Sequence, residues 1–135
     1  MIVDASVWVA AVLEQDGHHR ISLAFVEQLA QAGRRVSVPL LTWVEIAGAI
    51  TRRTGDAASG IRAVSLFSAQ PWVRGVLLDD RLAAEATRLA AGLRLRGADA
   101  VYVALASLRR EPLLTLDREM LERAAAAIEV LSPAR

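Results

Sequence analysis

Leu113-Leu114-Thr115-Leu116-Asp117 is a short apolar run that stops abruptly at an acid, and Ile2-Val3-Asp4 shows the same pattern. Runs this short fit buried strands better than helices. Three further apolar runs, at residues 36–38, 76–78 and 128–131, are separated from these two and from one another by segments with helical periodicity. Such alternation favours strands buried between helices. The sequence therefore predicts an α/β fold, a three-layer α/β/α arrangement around a mostly parallel sheet of four to five strands.

The composition excludes several kinds of chemistry. The chain of 135 residues has no cysteine, and all 16 of its basic residues are arginine. Cysteine nucleophiles, thiolate metal sites, Schiff bases and P-loop lysines are therefore ruled out. The formal charge of +1 argues against a general attraction to nucleic acid or membranes but allows a local site. We expect one domain over residues 1–135, in the cytoplasm, with no membrane span.

Four acids lie where solvated surface acids are not expected. Asp4 and Asp117 follow apolar strands, and Asp99 opens the apolar helix that continues to residue 106. Glu45 lies on a small, apolar face of a helix expected to begin at Pro39, with no cation within reach on that helix. The three aspartates are also good helix N-caps, and that simpler interpretation stays open.

The alternative to capping is a shared metal site. Ligands bind at the carboxyl ends of the strands in open parallel sheets, where Asp4 and Asp117 are expected. Four acids in one crevice would repel one another unless a cation joined them. Oxygen ligands select hard ions such as Mg²⁺ or Mn²⁺. Ser6 and Thr115 are each two residues from one of these acids and could hydrogen-bond to the carboxylates.

Taken together, these segments resemble the PIN-domain family, and within it the VapC ribonuclease toxins of bacterial type II toxin–antitoxin pairs. The resemblance covers essentially the whole chain, in order and at family-like spacing. Any one segment is a weak match, whereas the set of four is specific. The matching pieces are Met1-Ile2-Val3-Asp4-Ala5-Ser6, Glu45 in the helix after residues 36–39, residues 96–106 around Asp99, and residues 113–117.

The resemblance implies a function and partners. It implies that an acidic quartet holds Mg²⁺ or Mn²⁺ and that the protein cleaves RNA endonucleolytically. It also implies a homodimer, neutralised by a small VapB-like antitoxin whose C-terminal segment covers the site. The quartet would be Asp4, Glu45, Asp99 and Asp117, with Ser6 and Thr115 as supporting residues.

Two further questions stay open in the sequence. Arg94 and Arg96 lie close to Asp99 and are candidates for RNA phosphate contacts, whereas Arg52 is more simply a cation near a helix C-terminus. Two alternatives are a non-catalytic PIN-like interaction module, against which the intact acidic quartet argues, and an RNA-processing nuclease that is not a toxin. Receiver-type or phosphatase-type phosphoryl transfer is disfavoured by the missing lysine, and a dinucleotide fold by the missing glycine-rich fingerprint.

Overall fold

The computed structural model describes residues 1–134, and its centre is a fully parallel sheet of five strands. The strands run in the order β3-β2-β1-β4-β5, so the first strand of the chain lies in the middle. The predicted α/β fold with a parallel sheet is confirmed. The strands are β1 (Ile2–Val3), β2 (Val36–Pro39), β3 (Val73–Val76), β4 (Leu113–Leu114) and β5 (Val130–Leu131).

Helices connect the strands and cover the sheet. One group, α1 to α4, packs mutually, and a second pair, α5 and α6, packs together with α6 against β1, β2 and β4. The helices are α1 (Ala5–Val12), α2 (His19–Gln31), α3 (Leu41–Thr54), α4 (Ala57–Ser68), α5 (Asp80–Leu93), α6 (Gly97–Arg109) and α7 (Arg118–Arg123), followed by a 3-10 turn (Ala124–Ala126).

The core explains why these segments adopt these structures. The residues of β1 and β4 are fully buried, as expected of parallel strands covered on both faces. Every residue of α6 from Asp99 to Ala106 is buried, which explains why the middle of this helix is hydrophobic around its whole circumference. Trp8 is also fully buried, with its ring 4.7 Å from Phe67 and 5.9 Å from Trp72.

The third strand was predicted at the wrong residues. It spans Val73–Val76, and Leu77 and Leu78, which complete the apolar run, are 71% and 54% exposed. The register explains the shift, because β3 pairs with β2 from Val36↔Val73 to Pro39↔Val76 and ends where β2 ends. As an edge strand, β3 also tolerates polar residues, and the Arg74-Gly75 pair in its middle interrupts the apolar run by which a strand is recognised.

Two other predicted boundaries move for local reasons. Pro39 does not open a helix; it is the last residue of β2, and α3 begins at Leu41. The last strand is shorter than predicted, because the Ile128 N–H donates at 3.1 Å to the Ala124 carbonyl oxygen, which also accepts the Ala127 N–H that closes the 3-10 turn. No helix within residues 1–134 is both long and apolar enough to cross a bilayer.

The contact between α3 and α4 generates a prediction about stability. A Cβ added at Gly60 in α4 would lie 2.6 Å from the Ala47 carbonyl oxygen and 2.5 Å from Thr51 Oγ1. We expect Gly60→Ala to lower the free energy of unfolding by about 1–3 kcal/mol, because overpacking separates the helices. Urea denaturation measures the loss.

Gly92→Ala is the matched control, since a Cβ there meets nothing within 4 Å. Alanine is the better helix former, so this variant should be unchanged or more stable by up to about 1 kcal/mol. A Gly60→Ala variant as stable as Gly92→Ala would contradict the close approach of the two helices.

Candidate active site

The pairing of β1 with β4 brings two acids from opposite ends of the chain to one edge of the sheet. Val3 is in register with Leu114, and the Asp4 N–H donates to the Leu114 carbonyl oxygen at 2.9 Å. Both strands end at this edge and helices follow, with Asp4 as the N-cap of α1 and Asp117 as the N-cap of α7. The capping interpretation is therefore correct for these two residues, and it leaves room for a second role.

The other two acids reach the same edge from helices. Asp99 lies in the first turn of α6, and Glu45 lies in the second turn of α3. All four carboxylates line one cavity of about 500 Å³, which we call the acidic cavity. Its polar and charged lining residues are Asp4, Ser6, Glu45, Arg52, Arg96, Asp99 and Asp117. The structure thus brings together the four acids that the sequence singled out, and their role as metal ligands stays a prediction.

Asp4 is buried and its carboxylate is held by hydroxyl groups. Ser6 Oγ donates to Asp4 Oδ2 at 2.5 Å, and Thr115 Oγ1 donates to the same oxygen at 2.8 Å. Burial raises the pKa of the Asp4 carboxyl above its ordinary value, and these hydroxyl donors oppose the rise. Among residues 1–134 no basic group forms an ion pair with Asp4.

Ser6 and Thr115 do more than donate hydrogen bonds to Asp4. Ser6 Oγ accepts the Leu116 N–H at 3.1 Å, and Thr115 Oγ1 accepts the Asp117 N–H at 3.0 Å. Each hydroxyl therefore links Asp4 to the backbone that leads to Asp117. This geometry fits the supporting position that the sequence predicted for both residues.

Glu45 is held by a residue that sequence reasoning missed. The Tyr102 hydroxyl donates to Glu45 Oε2 at 2.6 Å and contacts Thr42 Oγ1 at 2.8 Å. Burial raises the pKa of Glu45, and the hydrogen bond from Tyr102 opposes that rise. Burial and the Asp4 and Glu45 charges hold the pKa of Tyr102 far above its ordinary value, so it remains a neutral donor. One signal was available, because Tyr102 follows Asp99 by three residues and shares its helix face.

Arg96 bridges the remaining two acids. Its Nε donates to Asp99 Oδ2 and its Nη2 donates to Asp117 Oδ2, each at 2.7 Å. Burial still raises the pKa of Asp99, although the hydrogen bond and charge of Arg96 oppose the rise. Arg52, which sequence reasoning left at a helix terminus, also lines the cavity. Arg94 does not line the cavity, so the geometry gives its predicted RNA contact no support.

The cavity has the donors for a divalent metal, but they do not converge on one point. Within the described residues, no three acid, histidine or cysteine side chains are grouped closely enough to hold a metal ion. Asp4 accepts hydrogen bonds from the hydroxyl groups of Ser6 and Thr115, and Glu45 accepts one from the phenol of Tyr102. The other two acids accept hydrogen bonds from Arg96. The donor set nevertheless fits Mg²⁺ or Mn²⁺, since it consists of oxygen ligands and includes a buried carboxylate without a cation.

Comparison with known proteins identifies the family. The family model described as PIN domain matches residues 1–127, so the chain belongs to the PIN domain family. This confirms the membership that the four sequence segments predicted. No curated protein sequence matches the chain as a relative.

Solved structures share the fold at low identity. A chain of a toxin–antitoxin complex from Klebsiella pneumoniae is 17% identical with a TM-score of 0.70, and the match covers 98% of this chain and 96% of that one. VapC20 from Mycobacterium tuberculosis, a sarcin–ricin loop cleaving toxin, is 18% identical with a TM-score of 0.74 over 94% and 95% of the two chains. VapBC2 from Rickettsia felis, bound to a promoter DNA fragment, is 10% identical with a TM-score of 0.73 over 97% and 96%.

The Tyr102 contact generates a prediction that needs no assumption about function. We expect Tyr102→Phe to lower the free energy of unfolding by about 1–2 kcal/mol, because the half-buried Glu45 carboxylate loses its donor. Urea denaturation measures the difference.

Thr87→Val is the control for loss of a hydroxyl, since Thr87 Oγ1 donates only to the Ala83 carbonyl oxygen on its own exposed helix face. Its stability should stay within about 0.5 kcal/mol of the wild type. Equal stability of Tyr102→Phe and the wild type would mean that solvent replaces the tyrosine hydroxyl.

Proposed function

We propose that this PIN domain is a divalent-metal-dependent endoribonuclease and acts as the toxin of a type II toxin–antitoxin pair. One observation carries the proposal: four carboxylates from four separate elements line a single cavity at the carboxyl ends of β1 and β4. Helix capping accounts for Asp4 and Asp117 but not for Glu45 and Asp99. Acids placed this close together repel one another, so such a cluster is expected where a bound cation is part of the site.

In this proposal Asp4, Glu45, Asp99 and Asp117 hold Mg²⁺ or Mn²⁺. Such an ion supplies a Lewis acid for the phosphodiester and for the attacking water. Ser6 and Thr115 keep Asp4 oriented towards the cavity through the short hydrogen bonds to its Oδ2. Tyr102 does the same for Glu45. The site needs no side-chain nucleophile, in agreement with a sequence that has no cysteine and no lysine.

The RNA backbone would meet arginine at the cavity. Arg52 and Arg96 both line it, and arginine contacts to phosphate position a strand without reading its sequence. The quartet holds 4 of the 15 acidic residues in a chain of formal charge +1, so the rest of the chain carries +1 plus 4, or +5. The body around the cavity is therefore basic, and phosphate groups are attracted once the acids are compensated.

The proposed partners follow from the solved relatives and from one exposed side chain. Several structures with this fold are toxin–antitoxin complexes, which supports a VapB-like antitoxin for this chain, and we propose a homodimer in the cytoplasm. Val44 lines the acidic cavity and is 74% exposed. An antitoxin segment lying over the cavity would cover this apolar side chain along with the acids.

The nuclease activity is tested with two matched N-cap substitutions. We expect purified protein to cleave RNA with Mg²⁺ or Mn²⁺ and to stop when a chelator is added. Asp117→Asn should reduce cleavage by more than about 100-fold, because a charged ligand is lost from the reaction centre. Cleavage of labelled RNA on a gel gives the rates.

Asp79→Asn is the control, because both aspartates cap a helix. Asp117 accepts the Met120 N–H at 3.0 Å, and Asp79 accepts the Leu82 N–H at 2.8 Å outside the cavity. Asparagine caps as well as aspartate, so neither substitution should unfold its helix. If wild-type protein with metal leaves RNA intact, the non-catalytic interaction module becomes the better explanation.

The toxin role is tested in cells. We expect expression of the chain in a bacterial host to arrest growth, and Asp99→Asn to relieve the arrest because the metal site is impaired. Co-expression with a VapB-like antitoxin should restore growth of the wild type. Growth curves measure all three results. RNA cleavage in vitro combined with normal growth would favour an RNA-processing nuclease that is not a toxin.

A further inference from the structure

The proposed phosphate contact does not explain why Arg96 bridges two of the four acids in the acidic cavity. Arg96 lies at the N-cap of α6 with an extended backbone and makes no side-chain capping bond. Its guanidinium instead donates to Asp99 Oδ2 and Asp117 Oδ2. A cation at a helix N-terminus is unfavourable with respect to the helix dipole. The two carboxylates must therefore hold it there.

This bridge divides the four acids into two pairs. Asp99 and Asp117 have a cation of the chain itself between them, at 2.7 Å from each. Among residues 1–134, Asp4 and Glu45 have only neutral hydrogen-bond donors, namely hydroxyl groups and, for Asp4, the Ser6 backbone N–H. The guanidinium supplies, for the first pair, the positive charge that a metal would otherwise supply.

We propose that Arg96 is an internal counter-ion that competes with the divalent metal for Asp99 and Asp117 and leaves them when the metal binds. The inference rests on the proposed metal site and adds to it an exchange between two cations. Once displaced, the guanidinium lies at the mouth of the cavity, where an RNA phosphate can replace the two carboxylates as its partner.

Exposure makes the exchange inexpensive. The Arg96 side chain is 64% exposed, and ion pairs of such groups contribute little because water and salt screen them. The guanidinium also keeps its charge after release and is readily solvated outside the cavity. A divalent ion attracts the same two carboxylates more strongly, and it additionally recruits the unpaired Asp4. The arginine therefore lowers the metal affinity of the site without blocking it.

Metal titration of the full chain by calorimetry tests the competition. We expect Arg96→Gln to bind Mg²⁺ or Mn²⁺ about 3- to 10-fold more tightly than the wild type, because the metal no longer has to displace a cation. Arg81→Gln is the control, since Arg81 is exposed in the first turn of α5 and does not line the cavity. Its metal affinity should equal that of the wild type.

A second measurement follows the arginine itself in the wild-type protein. The Arg96 Nε–H signal in a ¹H–¹⁵N spectrum is assigned by its loss in Arg96→Gln. We expect the signal to shift during a Mg²⁺ titration, at the same concentrations that saturate the calorimetric binding, because the bond to Asp99 is broken. A signal that stays fixed while the metal binds would overturn the exchange.

The outcomes separate the two proposals. If neither the wild type nor Arg96→Gln binds a divalent ion, the proposed metal site fails and the exchange fails with it. If both bind with equal affinity, or Arg96→Gln binds more weakly, the metal site stands and the competition by Arg96 is wrong. Binding that is tighter only in Arg96→Gln supports the exchange.

Discussion

The parallel pairing of β1 with β4 is the constraint on which the site depends. It joins the second and third residues of the chain to residues 113 and 114 in the middle of the sheet. The backbone hydrogen bond from Asp4 to Leu114 then fixes where both strands end. Because the two parallel strands end at the same edge of the sheet, the acids that follow them lie at the same cavity. The pairing of the two strands, and not a contact between the side chains, therefore brings Asp4 and Asp117 together.

Gathering carboxylates in this way has an electrostatic cost that the structure offsets in three different ways. Asp4 is stabilised by two hydroxyl groups, Glu45 by a buried phenol, and the pair Asp99 and Asp117 by a guanidinium. Neutral donors satisfy the oxygens of a buried carboxylate but supply no net charge. Burial raises the pKa values of Asp4 and Glu45 despite their hydrogen bonds, and it also raises that of Asp99 despite Arg96. A cation bound near Asp4 and Glu45 would compensate the negative charge that the neutral donors leave.

The sequence predicted the parts of this arrangement that depend on order along the chain. Short apolar runs ending in an acid located β1 and β4, and helical periodicity located the elements carrying Glu45 and Asp99. The bonds from Tyr102 to Glu45 and from Arg96 to Asp117 were missed, because they join segments far apart in sequence. The bond from Arg96 to Asp99 spans only three residues and could have been inferred from their spacing. The strand β3 was misplaced since Leu77 and Leu78 look like core residues, whereas pairing with β2 decides where it ends. Register and side-chain direction are tertiary properties that a single sequence does not display.

The long separation between the two central strands has a consequence for synthesis of the protein. Residue 3 pairs with residue 114, so the middle of the sheet stays incomplete until residues 113 and 114 have left the ribosome. Contacts between residues so far apart in sequence also form slowly, because the loop between them must first be closed. A nascent or prematurely terminated chain that stops before residue 113 lacks β4, Thr115 and Asp117 together. The complete acidic cavity therefore cannot form before residue 117 has been synthesised, and a product that stops earlier lacks it.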